Sequence, residues 1–292
     1  MNLNLSENTL DINSNNFDAH IKPAYPNVKS VIRLFFVILF YMIIFGIAAG
    51  ILLVVLDTYN LKLPLLRSFL SFLMYVITML VTIRYAIKKS KKQEGVYFGI
   101  SFNKIPIWLI PVIVISTIAL VVFLERVASL IPMPVSVQKF FEKAFSKDIF
   151  SIITMVIAAP VLEEILCRGI VLRGLLKNYP DYKAILISAI FFAAIHMNPW
   201  QAVPAFFGGL FLGWIYYKTQ SVIPGMIIHA TINSTASIFL FLPNNHQSFL
   251  NLLGLTNYII LCALSVLIFS AGCIIIQKRM ALAPEPIGFN QE

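Results

Sequence analysis

Charge is what this sequence has least of. Only 12% of its 292 residues are Asp, Glu, Lys or Arg, while 59% are hydrophobic and the mean hydropathy is +0.85. A soluble globular domain carries about a quarter of charged residues, so that class is excluded and a polytopic membrane protein is expected. Cysteine is scarce too. Cys167, Cys262 and Cys273 all lie in apolar segments, which leaves neither a disulfide framework nor a paired-cysteine zinc motif. No stretch alternates apolar and polar residues over a strand's length, so the fold class is all-α. The net charge of +9 is spread between apolar runs rather than gathered on one face, which fits membrane topology and gives no sign of a nucleic-acid partner.

What is abundant is apolar sequence of spanning length. About eight such runs lie near Leu34–Leu56, Phe69–Ile87, Ile107–Leu124, Ile149–Leu176, Ala184–Met197, Val203–Tyr217, Val222–Leu242 and Leu255–Ile276. Residues 1–31 are polar and Asn-rich and are expected to be a disordered tail without a cleavable signal; residues 32–280 form the transmembrane domain and 281–292 a short tail. An even number of spans puts both termini on one side. Fifteen Lys and Arg fall on that side and six on the other, with Arg168 inside the bundle. The positive-inside rule makes the richer side cytoplasmic. Short loops and small tails suggest a bacterial cytoplasmic membrane. Between Pro132 and Lys147, VQKFFEKAF reads as an amphipathic interfacial helix. Asn198-Pro199-Trp200 reads as a turn, and Gly209 with Gly213 as a seam for close helix packing.

One run breaks the pattern. APVLEEILCRGIVLRGLL places Glu163, Glu164 and Arg168 within an otherwise apolar span. Each charge at the centre of a bilayer costs roughly 2.5–3.5 kcal/mol even on the lenient insertion scale. They must therefore face protein or a water-filled cavity and find partners. Successive helical residues point about 100° apart, so the two glutamates cannot share a face. Glu164 and Arg168 are four apart with the acid first, the favoured order for a pair. Glu163 is left without a partner on its own helix, and such a carboxyl in an apolar setting is a candidate general base. Pro160, just ahead, is expected to kink the helix.

Of the four histidines, His20 and His246 lie in polar tails or loops, whereas His196 and His229 lie inside predicted spans. Phe192 is four before His196 and can brace its ring; Asn233 is four after His229 and shares its face. A His and an Asn side by side can donate to a single oxygen, as an oxyanion hole requires. Glu163 with His196 can position and deprotonate a water. Counted along their spans, Glu163 lies roughly 21 Å from the membrane surfaces and His229 only about 10–12 Å from the cytoplasmic one, a gap that tilt or a recessed cavity must close.

E-E-x-x-x-R (Glu163, Glu164, Arg168), F-x-x-x-H (Phe192, His196) and H-x-x-x-N (His229, Asn233), in this order on successive helices, resemble the CPBP intramembrane proteases. That family joins type II CAAX prenyl endopeptidases with bacterial bacteriocin-processing and immunity proteins, often called Abi-like. The resemblance covers about residues 150–242. It implies an eight-helix endopeptidase that cuts a membrane-associated peptide or protein, either lipidated or a leader or pheromone peptide. It further implies that Glu163 and His196 activate water while His229 and Asn233 hold the oxyanion, with Glu164, Arg168 and Phe192 in support. No cofactor is expected. A divalent metal such as zinc, held by Glu163, His196 and His229, is the second reading of the same residues, although no H-E-x-x-H helix is present. Serine and aspartyl intramembrane proteases are disfavoured, since neither G-x-S-G nor G-x-G-D occurs. Two other functions compete: a non-catalytic membrane partner or bacteriocin-immunity scaffold, and an ion-coupled transporter. The intact set of polar residues argues against the first, and the lack of broken repeat pairs against the second.

Overall fold

The computed structural model describes residues 23–59, 64–95, 99–137, 147–242 and 248–280. Among them every regular element is helical. The protein is an all-α polytopic membrane protein. The long helices are α1 (Val28–Thr58), α2 (Pro64–Glu94), α3 (Leu109–Ser129), α4 (Ile149–Leu176), α5 (Asp181–Ala194), α6 (Pro199–Thr219) and α7 (Ile223–Phe241). A short α8 (Phe249–Leu253) leads into the closing helix α9 (Leu255–Arg279).

Each of the eight predicted apolar runs is thus a helix, but they are not equal. Five, α1 to α4 and α9, are long and apolar enough to cross a membrane by length and composition. The helix α5 has 14 residues, short of the roughly 20 that span a bilayer core. It lies beside α6 instead. A Cβ on Gly209 would sit 3.2 Å from Ala189 Cα, and one on Gly213 would sit 3.1 Å from Ile185 Cγ2. The two glycines therefore form the seam that lets these helices approach.

The helix starts are chemically marked. Asn27 caps α1 through Ser30 N–H at 3.0 Å. Asp148 caps α4 through the N–H groups of Phe150 and Ser151 at 2.9 and 3.1 Å. The expected turn at Asn198-Pro199-Trp200 is the start of α6: Asn198 accepts from Gln201 N–H at 2.9 Å, and Pro199 follows in the first turn, where its missing N–H is harmless.

The polar tail ends earlier than expected. Residues 23–27 belong to the described fold, and α1 begins at Val28 rather than beyond residue 31. Tyr25 is buried, its N–H donates to Glu94, and Asn178 beyond the end of α4 donates to Ala24 O at 2.8 Å. A Cβ on Gly174 would stand 2.4 Å from Tyr25 O, so only glycine lets this segment lie against α4. Composition could not reveal that docking. The predicted helix VQKFFEKAF lies outside the described residues apart from Val137, and so do residues 1–22, with His20, His246 and residues 281–292.

Candidate active site

The helix α4 is not a plain α-helix. It widens into π-type turns at Thr154–Ala158 and Cys167–Leu172, and between them Ala159–Leu166 carries both glutamates on regular α geometry. Such wide turns recur at functional sites. Against this short segment pack α2 and α7, while α5 and α6 pack on the next turn, Cys167–Leu172.

Glu164 and Arg168 form the expected pair. Both are fully buried, with Arg168 Nη1 donating to Glu164 Oε1 at 2.8 Å. Arg168 Nη2 donates to Gly209 O at 3.1 Å, and its guanidinium carbon lies 4.5 Å from the centre of the Phe192 ring. The arginine is therefore neutralised, hydrogen-bonded and stacked, as a buried charge must be. The second carboxylate oxygen, Oε2, has no partner among the described residues; it lies where a Cβ on Gly225 would come within 2.7 Å.

His229 meets Glu164 rather than Glu163. Its Nδ1 lies 3.2 Å from Glu164 Oε1. A carboxylate paired with Arg168 can only accept, so Nδ1 carries the proton. Packing thus closes the depth gap counted along the spans. The Phe192 ring is the hub of the cluster, meeting His196 edge-on at 5.2 Å between centres and His229 at 5.4 Å.

Glu163 faces a different side of the helix, as its 100° offset requires. Its Oε1 accepts a 2.8 Å hydrogen bond from the Tyr75 hydroxyl of α2, and its Oε2 is buried without a partner among the described residues. Just beyond the end of α5, His196 Nδ1 lies 2.8 Å from Phe192 O. A carbonyl only accepts, so in the neutral ring Nδ1 holds the proton and Nε2 offers a lone pair. The chain turns sharply there, through left-handed Met197 with φ of 54°. Glu163, His196 and Tyr75 line one cavity of about 240 Å³. The rest of its wall is mainly apolar: Ile38, Met42, Phe45 and Gly46 of α1, with Met74 and Met79 of α2.

The pairing expected of His229 and Asn233 takes a different form. Asn233 Nδ2 donates to Met155 O at 2.7 Å in the first π turn, while His229 Nδ1 is directed at Glu164. The hydrogen bonds they make go to two acceptors, not one, and neither residue lines the cavity that holds Glu163 and His196. Nor do the residues gather as a metal site. Among the described residues no group of three His, Cys, Asp or Glu is close enough to hold an ion. Glu163 and His196 line the cavity while His229 is occupied by Glu164, so this donor set does not fit the three-ligand centre. Tyr75 was missed by the sequence reading. The signal was present: a tyrosine 11 residues into the 31-residue α2, roughly 16 Å from its start, is far from the interfacial belt where tyrosines of membrane helices usually sit.

The model of a family described as type II CAAX prenyl endopeptidase Rce1-like matches residues 145–235. The match takes in α4 to α7 through Asn233, and with them every residue of the three motifs. The site-bearing segment is similar to that family. The Rce1-like match supports a CAAX-protease type of enzyme that acts on a peptide or protein. It leaves α1, α2 and α3 outside, so Tyr75 and most of the cavity wall come from beyond the matched region. Among curated proteins and among solved structures nothing matches.

Proposed function

We propose that this protein is an intramembrane endopeptidase that hydrolyses a peptide bond of a membrane-associated peptide or protein, with Glu163 as general base. The observation that carries the reading is the meeting of Glu163 and His196 in one apolar-walled cavity. A water there gives a proton to the Glu163 carboxylate while its other hydrogen is held by His196 Nε2. The resulting hydroxide oxygen attacks the scissile carbonyl carbon. The proton then passes from Glu163 to the leaving amine as the C–N bond breaks. No step requires a metal, and the proposal is a metal-free glutamate mechanism.

The oxyanion belongs to His229 and Asn233 on the strength of the motifs. With Nδ1 already donating to Glu164, His229 has Nε2 left for the oxyanion, and it donates from there only when both ring nitrogens carry a proton. Asn233 retains a second amide hydrogen beyond the one given to Met155 O. Glu164, Arg168 and Phe192 hold this half of the site in place.

The cavity also bears on substrate. A cavity of about 150 Å³ admits benzene, so the roughly 240 Å³ here has room for one large side chain beside the scissile bond. Among the described residues, no carboxyl, imidazole or basic group other than Glu163 and His196 lines it, so the residue accommodated is apolar and uncharged. Whether it lies in a lipidated C-terminus or in a leader or pheromone peptide is decided by experiment. Membranes of producing cells carrying the wild type and Glu163→Gln are compared by quantitative proteomics. A precursor that accumulates only with Glu163→Gln is the expected result; identical membrane proteomes with equal amounts of folded protein would sink the peptidase reading in favour of a binding scaffold.

A further inference from the structure

We infer that Tyr75 is the positioning residue of Glu163, holding the carboxylate in the orientation from which it takes the proton; this rests on the peptidase reading above. The residue lies 88 positions before Glu163 and outside the segment matched to the family, so the motifs assign it no role.

Four observations converge. The Tyr75 hydroxyl donates to Glu163 Oε1 at 2.8 Å. Glu163 Oε2 is buried and takes no donor from the described residues. One carboxylate oxygen is thus tied and the other left for chemistry. Tyr75 lines the same cavity as Glu163 and His196, so the bond is made at the reaction site and not behind it. Finally, among the described residues no other bond orients Glu163: Arg168 donates to Glu164 and to Gly209 O, and His229 donates to Glu164.

A glutamate on a helix has three side-chain torsions, the last of them broad. Without a tie the carboxylate would sweep several positions across a cavity far larger than itself. The phenol ring is rigid with only two torsions, and α2 packs against α4, so the hydroxyl fixes one oxygen and leaves the carboxylate little freedom beyond rotation about that contact. Packing alone would be served by phenylalanine. A hydroxyl placed in an apolar span is unfavourable unless bonded, and here its acceptor is the proposed base. The competing role is purely structural, with the bond simply fastening α2 to α4.

The two roles separate in kinetics. Tyr75→Phe removes one oxygen and keeps the ring. The probe is a synthetic peptide spanning the cut that the Glu163→Gln comparison identifies, assayed on purified protein in liposomes. The expected result is a kcat lowered about 10- to 100-fold, the scale set by loss of positioning, with KM within about twofold and thermal stability near wild type. A kcat equal to that of the wild type overturns the inference while leaving the peptidase reading intact. So does a loss of turnover that tracks a fall in melting temperature, which assigns the bond to fastening helices. Absence of any accumulated precursor or cut removes the peptidase reading first and the role of Tyr75 with it.

Discussion

Asn233 Nδ2 lies 2.7 Å from Met155 O, a carbonyl that α4 itself cannot serve. In the π turn at Thr154–Ala158 each carbonyl takes the N–H five residues on, as Thr154 O takes that of Ala159. The N–H due to Met155 O would come from residue 160, and Pro160 has none. Asn233 therefore supplies from α7 the donor that the proline withholds, and it pins α7 to α4 about two turns ahead of Glu163.

This gives Asn233 a testable double role. Asn233→Ala should destabilise the protein by about 1–3 kcal/mol, the cost of an unserved carbonyl. In a Pro160→Ala background the backbone can supply the missing N–H, and the same substitution should cost less. Thermal unfolding of the four proteins measures the coupling. If the asparagine also holds the oxyanion, Asn233→Ala lowers kcat by roughly 10²–10³ in both backgrounds. Additive stabilities would show that the proline and the asparagine are unrelated, and unchanged turnover would withdraw the oxyanion role.

Glu164 and Arg168 should behave as a buried pair. Glu164→Gln and Arg168→Leu each leave an uncompensated charge, an effect typically of about 3–5 kcal/mol. The double variant should recover part of the loss, but not all, because His229 also depends on Glu164. Chemical or thermal unfolding in detergent provides the measurement. A double variant as unstable as the sum of the two singles would mean that the observed 2.8 Å bond contributes no coupling.

Activity should survive prolonged chelation and should not rise on adding zinc. The basis is the divergence of Glu163 and His229, which face different partners. Metal analysis of the purified active protein, before and after chelator, is the check. Stoichiometric metal lost together with activity would replace the water-activation scheme with a metal-centred one.

The side assigned to the termini rests on the fifteen-to-six division of basic residues. Single cysteines at Lys91 and Asn251 in a cysteine-free protein should react with an impermeant thiol reagent from opposite faces of sealed vesicles, the first from the cytoplasmic face. Labelling of both from one face would require a different number of crossings between α2 and α8.

Much of this architecture was legible in the chain because its signals are local. Apolar runs mark all eight long helices, and a four-residue spacing was enough to pair Glu164 with Arg168. What escaped depends on contacts between distant segments. Nothing near Tyr75 in sequence announces Glu163, and nothing near Tyr25 announces Gly174 or Asn178. The four-residue spacing of His229 and Asn233 correctly set them on one helix face, yet spacing says nothing of what faces them: Glu164 takes one and Met155 O the other. The place of residues 23–27 was hidden for a similar reason, since PAYPN is too short to give an apolar signal of its own but is held by partners far along the chain.

The wide turns of α4 bear on how such sequences are aligned. A π turn holds one residue more than the α turn it interrupts, so it acts as a one-residue insertion absorbed without rotating the helix beyond it. A relative lacking the extra residue within 154–158 would keep its glutamates aimed the same way, and a single gap there is no sign of misalignment. Conversely, counting faces at a constant 3.6 residues per turn from Ile149 to Glu163 drifts by about one residue, or 100°. Within Ala159–Leu166, where the helix is regular, the same count holds, and that is the stretch in which the two glutamates part company.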